Sequence, residues 1–513
     1  MRTSSRLLAL LILLGFWASQ AIAADKDGIP PLPPAAALTA DEQKRIEDAI
    51  AELATIERPD FGLSDRIASS AFPAVEGAQG RSYVMTGGFH FARLPALVRL
   101  VKTGPVAIPA LLKHLDDATP TKLVIKHEVG IGGMWYEAEV HVNCFIEEEV
   151  KASEKAGLKP EQRGHGKDIN EHTVSVGDVC FVILGMITNR SYNAVRYQPT
   201  GCTVINSPTT DPRIATAVRA IWNVPDAREE LYRRLWVDYR THGRKEGTEM
   251  WYWWASQVDH GAATRLLYYF REQAVPTFIE RLKGINDSLP KADMPKKERD
   301  HLNWELSGFI YAVSWSDDER IHEQLGRIAR RSDSENIIYL CTKAMIGHAD
   351  DEYFAKLSAM LLNSDHEGDS SGLLSALLTV YGKRAIPVFK EYLSKGGEEA
   401  GRNVVSFVWR GNCPGCELEV LAPLLSDRRK GLGTYYLDGK DRPKGELQIV
   451  VQDEKPPTEA EMRLCDNAYM LINWALGRKD VRCSGSAEDM DGGIEVLRKE
   501  LTAREQKPDA GRQ

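Results

Sequence analysis

The sharpest local chemical motif in the chain is Cys413-Pro414-Gly415-Cys416. Two thiols at this spacing can cycle as a redox disulfide or supply half of a zinc site. A thioredoxin-type pair needs a βαβ setting, and a zinc site needs two further ligands. Here the pair follows a helical pattern ending near Arg410 in an α-rich stretch. A structural disulfide between Cys413 and Cys416 is the leading reading, with zinc and redox roles as its alternatives. Cys180 with Cys202, and Cys465 with Cys483, are candidate bridges. Each would close a loop of about 20 residues, worth roughly 3 kcal/mol in the chain-entropy model.

Two other clusters have side chains that bind. Trp251, Trp253 and Trp254, with Tyr252 between and Trp236 and Tyr239 upstream, can stack on sugar rings or fill a groove between helices. The run Asn189–Tyr197 holds Arg190, Tyr192, Arg196 and Tyr197. Arginines beside tyrosines can hold a carboxylate or phosphate, or tie a loop to backbone carbonyls. The 12 histidines contain no His-Glu-x-x-His pattern, and Gly485-Ser486 lacks the flanks of a nucleophile elbow. Asp259-His260 and Asp317-Asp318-Glu319 have no spacing that marks them out. No catalytic residue, metal ligand or cofactor is assigned.

Composition narrows the class. The 513 residues are 43% hydrophobic and 27% charged, with a formal net charge of -8. That is a globular balance, and it disfavours a nucleic-acid partner held by a broad basic face. Residues 1–23 read as a cleaved signal peptide: Arg2 and Arg6, an apolar run Leu7–Leu14, then Ala21-Ile22-Ala23. The expected location is the periplasm or the exterior, with no transmembrane segment left after cleavage. Eight cysteines in such a chain permit disulfides without making a disulfide scaffold.

The elements that must position these residues are mostly helices. Residues 24–40 are rich in proline and alanine and read as an extended tether. Thr39 and Glu42 form a capping box that opens a helix over 40–57. Apolar periodicity predicts a helix–turn–helix over 92–116, broken at Gly104-Pro105, and a helix from Asp178 to Thr188. Further helices are predicted over 212–222, 227–241, 248–271, 276–283, 301–314, 319–331, 335–347, 351–363, 371–381, 387–395, 398–410 and 459–477. Alternation around a Gly-rich middle predicts a β-hairpin over 122–145, and a second hairpin is read over 431–452. Residues 151–175 read as polar and mobile. Asp178 to Arg190 and Asp466 to Arg478 have equal spacing, which suggests one unit used twice: helix, hairpin, helix.

One phrase recurs: Ala107-Ile108-Pro109, Ala274-Val275-Pro276, Ala385-Ile386-Pro387 and, more loosely, Leu421-Ala422-Pro423. Proline suits the first helical turn, so each copy reads as a helix start. With these openings and Leu424-Leu425-Ser426-Asp427, the chain resembles the HEAT-like, armadillo-type repeat proteins over roughly 92–116 and 260–478. The resemblance implies a mainly α fold, a HEAT/armadillo-like α-solenoid with two inserted β-hairpins. The division read from the pattern is 41–285 and 301–505, with a linker at 286–300 and a tail at 506–513. Such arrays are mostly binding scaffolds. The expectation is therefore an exported, non-enzymatic scaffold for a protein or peptide partner. The alternative is a secreted polysaccharide-active hydrolase of helical-toroid type.

Overall fold

The structure is a computed structural model. It describes residues 28–505 apart from 35–36, 58–71, 76–94, 128–131, 141–145, 159–166, 198–201, 241–251, 291–293, 365–369, 410–414, 437–458, 479–480 and 482–486. The expected signal segment, residues 1–23, lies outside the described residues. The chain is mainly helical and forms two compact units: residues 1–284 with 308–321, and residues 285–307 with 322–513.

The helices in chain order are α1 Ala40–Glu52, α2 Pro95–Thr103, α3 Ile108–Lys113, α4 Glu147–Lys155, α5 Val176–Thr188, α6 Pro212–Trp222, α7 Ala227–Arg240, α8 Tyr252–Tyr269, α9 Arg271–Asp287 and α10 Lys296–Val313. They continue with α11 Glu319–Arg331, α12 Glu335–Met345, α13 Asp351–Leu362, α14 Ser371–Tyr381, α15 Ile386–Lys395, α16 Gly397–Trp409, α17 Glu417–Leu421, α18 Leu464–Ala475 and α19 Ala487–Glu505. The capping box of α1 is formed: Glu42 N donates to Thr39 Oγ1 at 3.2 Å, and Thr39 N donates to Glu42 Oε2 at 2.9 Å. The break after α2 is a left-handed Gly104 with φ of +66°. A Cβ there would lie 2.2 Å from the Tyr269 ring, so only glycine fits.

The proline phrases open an α-helix in two places of four and a 3-10 helix in a third. Pro109 and Pro387 lie in the first turn of α3 and α15. Pro276 lies inside α9, which has already begun at Arg271. Pro423 lies in a 3-10 turn, Ala422–Ser426, after α17. A missing N–H is tolerated wherever its carbonyl partner is satisfied otherwise, so the phrase alone does not set the boundary.

The strands correct the hairpin readings. Strand β1 (Pro120–Lys126) pairs antiparallel with β4 (Glu171–Ser175), not with the segment directly after it. The residues 134–136 are instead β2, which joins β3 (Lys167–Ile169), β5 (Val195–Tyr197) and β6 (Thr203–Ile205) in the sheet order β3-β2-β6-β5. Alternation alone does not name the partner strand, and here the partner is about 50 residues away. Residues 151–175, read as polar and mobile, contain the end of α4 and strands β3 and β4. In the second unit, β7 (Lys430–Tyr436) pairs with β8 (Glu459–Arg463). Its expected partner, 447–451, lies outside the described residues. Residues 28–34 are extended as a tether should be, but they lie along α7, with Ile29 buried.

Within the second unit, helices alternate between two rows. α12 packs on α14, α14 on α16, and α16 on α18; α13 packs on α15, and α15 on α17. In the first unit, α5 is buried along its whole length against α2 and α3.

Candidate functional site

The polar chemistry of the first unit converges on the two ends of α5. At its N-terminus, Ser175 and Asp178 make a reciprocal capping box. Asp178 Oδ2 accepts from Ser175 N at 2.9 Å and lies 3.0 Å from His172 Nε2 on β4. The other imidazole nitrogen, Nδ1, is 3.2 Å from Tyr136 Oη on β2. Both His172 and Asp178 are buried, while Tyr136 is half-exposed. This phenol–imidazole–carboxylate chain runs from a half-exposed hydroxyl to a buried carboxyl. Ser175 Oγ is turned the other way: it accepts from Asp178 N and meets Thr209 Oγ1 at 3.1 Å. It is therefore placed as a cap, not as a nucleophile beside His172.

At the C-terminus, Asn189 takes the left-handed conformation that ends the helix, and Arg190 turns back into the core. Arg190 forms a fork on Glu149 of α4, Nε to Oε2 at 2.7 Å and Nη2 to Oε1 at 2.6 Å. Its Nη1 reaches Asp238 of α7 at 2.6 Å and the carbonyls of Thr188 and Asn189. Arg234 adds a second cation on Glu149, Nη1 to Oε1 at 2.6 Å, and its Nη2 joins Glu230 one turn away. Tyr192 stacks on Phe181 at 4.9 Å, and its hydroxyl accepts from Trp222 Nε1.

The charges respond unequally. Burial pushes Glu149 up, but Arg190 and Arg234 outweigh it and hold the carboxyl below its usual value. Asp238 has burial against it and shares Arg190 with Glu149, so it is pushed up to about 6. Burial lowers Arg265 to about 10. Its guanidinium donates to Met186 O and Asn189 Oδ1 and lies 4.9 Å from the Phe72 ring centre.

This moves Arg190 and Tyr192 from an expected binding loop into the core. Every nitrogen of Arg190 is engaged by groups of the same chain. Arg196 and Tyr197 lie on β5, and their side chains are outside the described residues, as are those of Trp253 and Trp254 on α8 and the whole of Trp251. Trp236 and Tyr239 are core residues, their rings 5.5 Å apart and continuing to Phe278 and Phe309. Cys416 is disulfide-bonded, and Cys413 lies outside the described residues. Cys180 and Cys465, expected as half-cystines, are buried thiols instead. Burial raises both, Cys465 to about 11. Loop length permits a bridge, but side-chain direction decides it, and helix α5 turns Cys180 inward.

Glu149, Asp238 and His172 were missed from sequence. Glu149 ends a run of three glutamates that reads as a solvated face. The available signal was on α7: Arg234 and Asp238, one turn apart, sit among Leu231, Leu235 and Trp236 on the apolar stripe. Charges on a core face must be paired. Compared with known protein families, with curated proteins and with solved structures, the chain matches none.

Proposed function

We propose that the protein is an exported binding scaffold of HEAT-like kind that takes a protein or peptide partner on the helices of its second unit. The observation that carries this reading is an exposed tryptophan pair. Trp409 ends α16 and is 52% exposed; Trp474 on α18 is 37% exposed, with ring centres 5.9 Å apart. The same row of helices also exposes Tyr339 on α12. Tryptophan is enriched among the energetic anchors of interfaces, and two exposed rings in contact form an apolar patch that a partner can cover. The two-row order of α12–α18 supports a repeat array, and the apolar run before Ala21-Ile22-Ala23 supports export.

A peptide display library panned on the full chain tests this. Apolar or aromatic peptides are expected to enrich, and Trp409→Ala with Trp474→Ala should weaken their binding at least tenfold at unchanged thermal stability. No enrichment, or affinity indifferent to both substitutions, would overturn the reading.

A further inference from the structure

Residues 28–34 read Gly-Ile-Pro-Pro-Leu-Pro-Pro. Such a segment favours the polyproline II form, which has no internal hydrogen bonds, so its carbonyls need donors from outside. Three come from one face of α7. Arg240 Nη2 donates to Gly28 O at 2.6 Å, Tyr232 Oη to Pro30 O at 2.8 Å, and Arg228 Nη1 to Pro33 O at 2.8 Å. With Trp236, these residues recur at every fourth position and form one stripe. The lengths agree. Gly28 to Pro33 spans about 16 Å at about 3.1 Å per residue, and 228 to 240 spans about 18 Å of helix. The two run in opposite directions, with the left-handed Gly28, φ +69°, at the Arg240 end.

The contact reads backbone and one apolar side chain. Ile29 is buried, whereas Pro31, Pro33 and Pro34 are exposed. The donors are held by the core beneath them. Arg240 lies over Trp236 at 5.4 Å and Arg228 over Phe270 at 5.6 Å, while the Tyr232 ring packs on Phe270 at 4.8 Å. A row of preset donors matched to polyproline carbonyls is a general reader of that conformation.

We propose that the Arg228–Tyr232–Arg240 face of α7 is a binding site for an extended, proline-containing segment of a partner protein, occupied at rest by residues 28–34 of the same chain. It is independent of the tryptophan pair of the second unit. A tethered segment competes at an effective concentration in the millimolar range, so the resting chain is masked.

The probe is a fluorescent peptide, Gly-Ile-Pro-Pro-Leu-Pro-Pro, followed by anisotropy with the full-length chain. Ile29→Asp should free the face and tighten peptide binding at least tenfold over wild type. Adding Arg228→Ala and Tyr232→Phe should reverse the gain. Equal binding by wild type and Ile29→Asp, or binding indifferent to the α7 substitutions, overturns the proposal. If circular dichroism shows Ile29→Asp unfolded, Arg228→Ala with Tyr232→Phe in the wild-type chain decides. Cleavage after Pro30–Pro34 by a proline-specific endopeptidase should rise at least tenfold at an unchanged melting midpoint, and an unchanged rate overturns it. A concentration-dependent dimer of the wild type on light scattering would show the segments exchanged between copies, and would also overturn it.

Discussion

The corner that leads into α5 and the corner that leads into α18 share a backbone plan and differ in what surrounds it. In the first, Val176 N bonds Thr119 O and Gly177 N bonds Asp117 O, both at 2.9 Å. In the second, Leu464 N bonds Arg429 O at 2.9 Å and Cys465 N bonds Asp427 O at 2.8 Å. Each strand pair has a register shift at the same point, between Pro120 and Val124 and between Lys430 and Thr434. Each helix carries an aspartate at its third position, Asp178 or Asp466, accepting from the backbone N–H three residues earlier. The partners diverge. Asp178 faces a buried histidine, while Asp466 is forked by Arg463, which also reaches Asp491 at 2.9 Å. A handful of turn and cap residues therefore specifies this corner, and the side chains around it are free to specialise.

Arg190 and Arg478, each twelve residues after its aspartate, give the largest contrast. Arg190 is enclosed by Glu149 and Asp238. Arg478 is 41% exposed and holds Glu500 at 2.7 Å and Asn473. Removing one partner of a buried pair leaves an uncompensated charge, which costs about 3–5 kcal/mol, whereas an exposed pair is screened by water and contributes little. Arg190→Ala should collapse chemical-denaturation stability by the larger amount, and Arg478→Ala should barely move it. Equal losses would erase the distinction between the two ends.

The same contrast has a pH signature. Asp238 is raised, so between about pH 4 and 6 the folded chain holds a proton that the unfolded chain has released. Its contribution to stability is full below its unfolded value and is lost as pH rises through about 6. Asp238→Asn cannot titrate. The variant should therefore gain on wild type across that window, by about 2–3 kcal/mol in all. Glu500, held low by the hydrogen bond from Arg478, has the opposite sign and is exposed. Melting curves of both proteins at pH 4, 5, 6 and 7 measure the gap; a constant gap would refute the assignment to Asp238.

Much of the helical frame was legible because its signals are local. Predicted 319–331 and 371–381 match α11 and α14 end for end, and the equal spacing after Asp178 and Asp466 pointed to the repeated corner. What sequence could not give was set by contacts between distant residues. β1 finds β4 across an intervening helix, Arg190 finds Glu149 and Asp238 on two others, and the proline-rich segment finds donors about 200 residues away. A charged side chain looks alike in sequence whether it faces water or a buried partner.

The smallest difference lies in how each corner holds its register shift. In the first, the strand does it: Thr121 Oγ1 donates to Val174 O at 2.8 Å and accepts from Leu123 N at 3.1 Å. In the second, Gly431 occupies the matching position, and the helix supplies the group instead. Asn467 Oδ1 accepts from Leu432 N at 2.8 Å, and its amide donates to Leu432 O at 3.0 Å. A Cβ on residue 431 would lie 2.2 Å from that oxygen and 2.7 Å from the Arg463 carbonyl, so only glycine lets the strand pass this close to the helix start. Thr121→Val keeps the shape and removes the hydroxyl, which should cost about 1 kcal/mol. Asn467→Ala loses a donor and an acceptor inside a buried site and should cost about 2 kcal/mol. Amide hydrogen exchange separates them: the first substitution should expose Leu123 and leave Leu432 protected, and the second should do the reverse. Loss of protection at both amides from either change would mean that the two corners do not hold their strands independently.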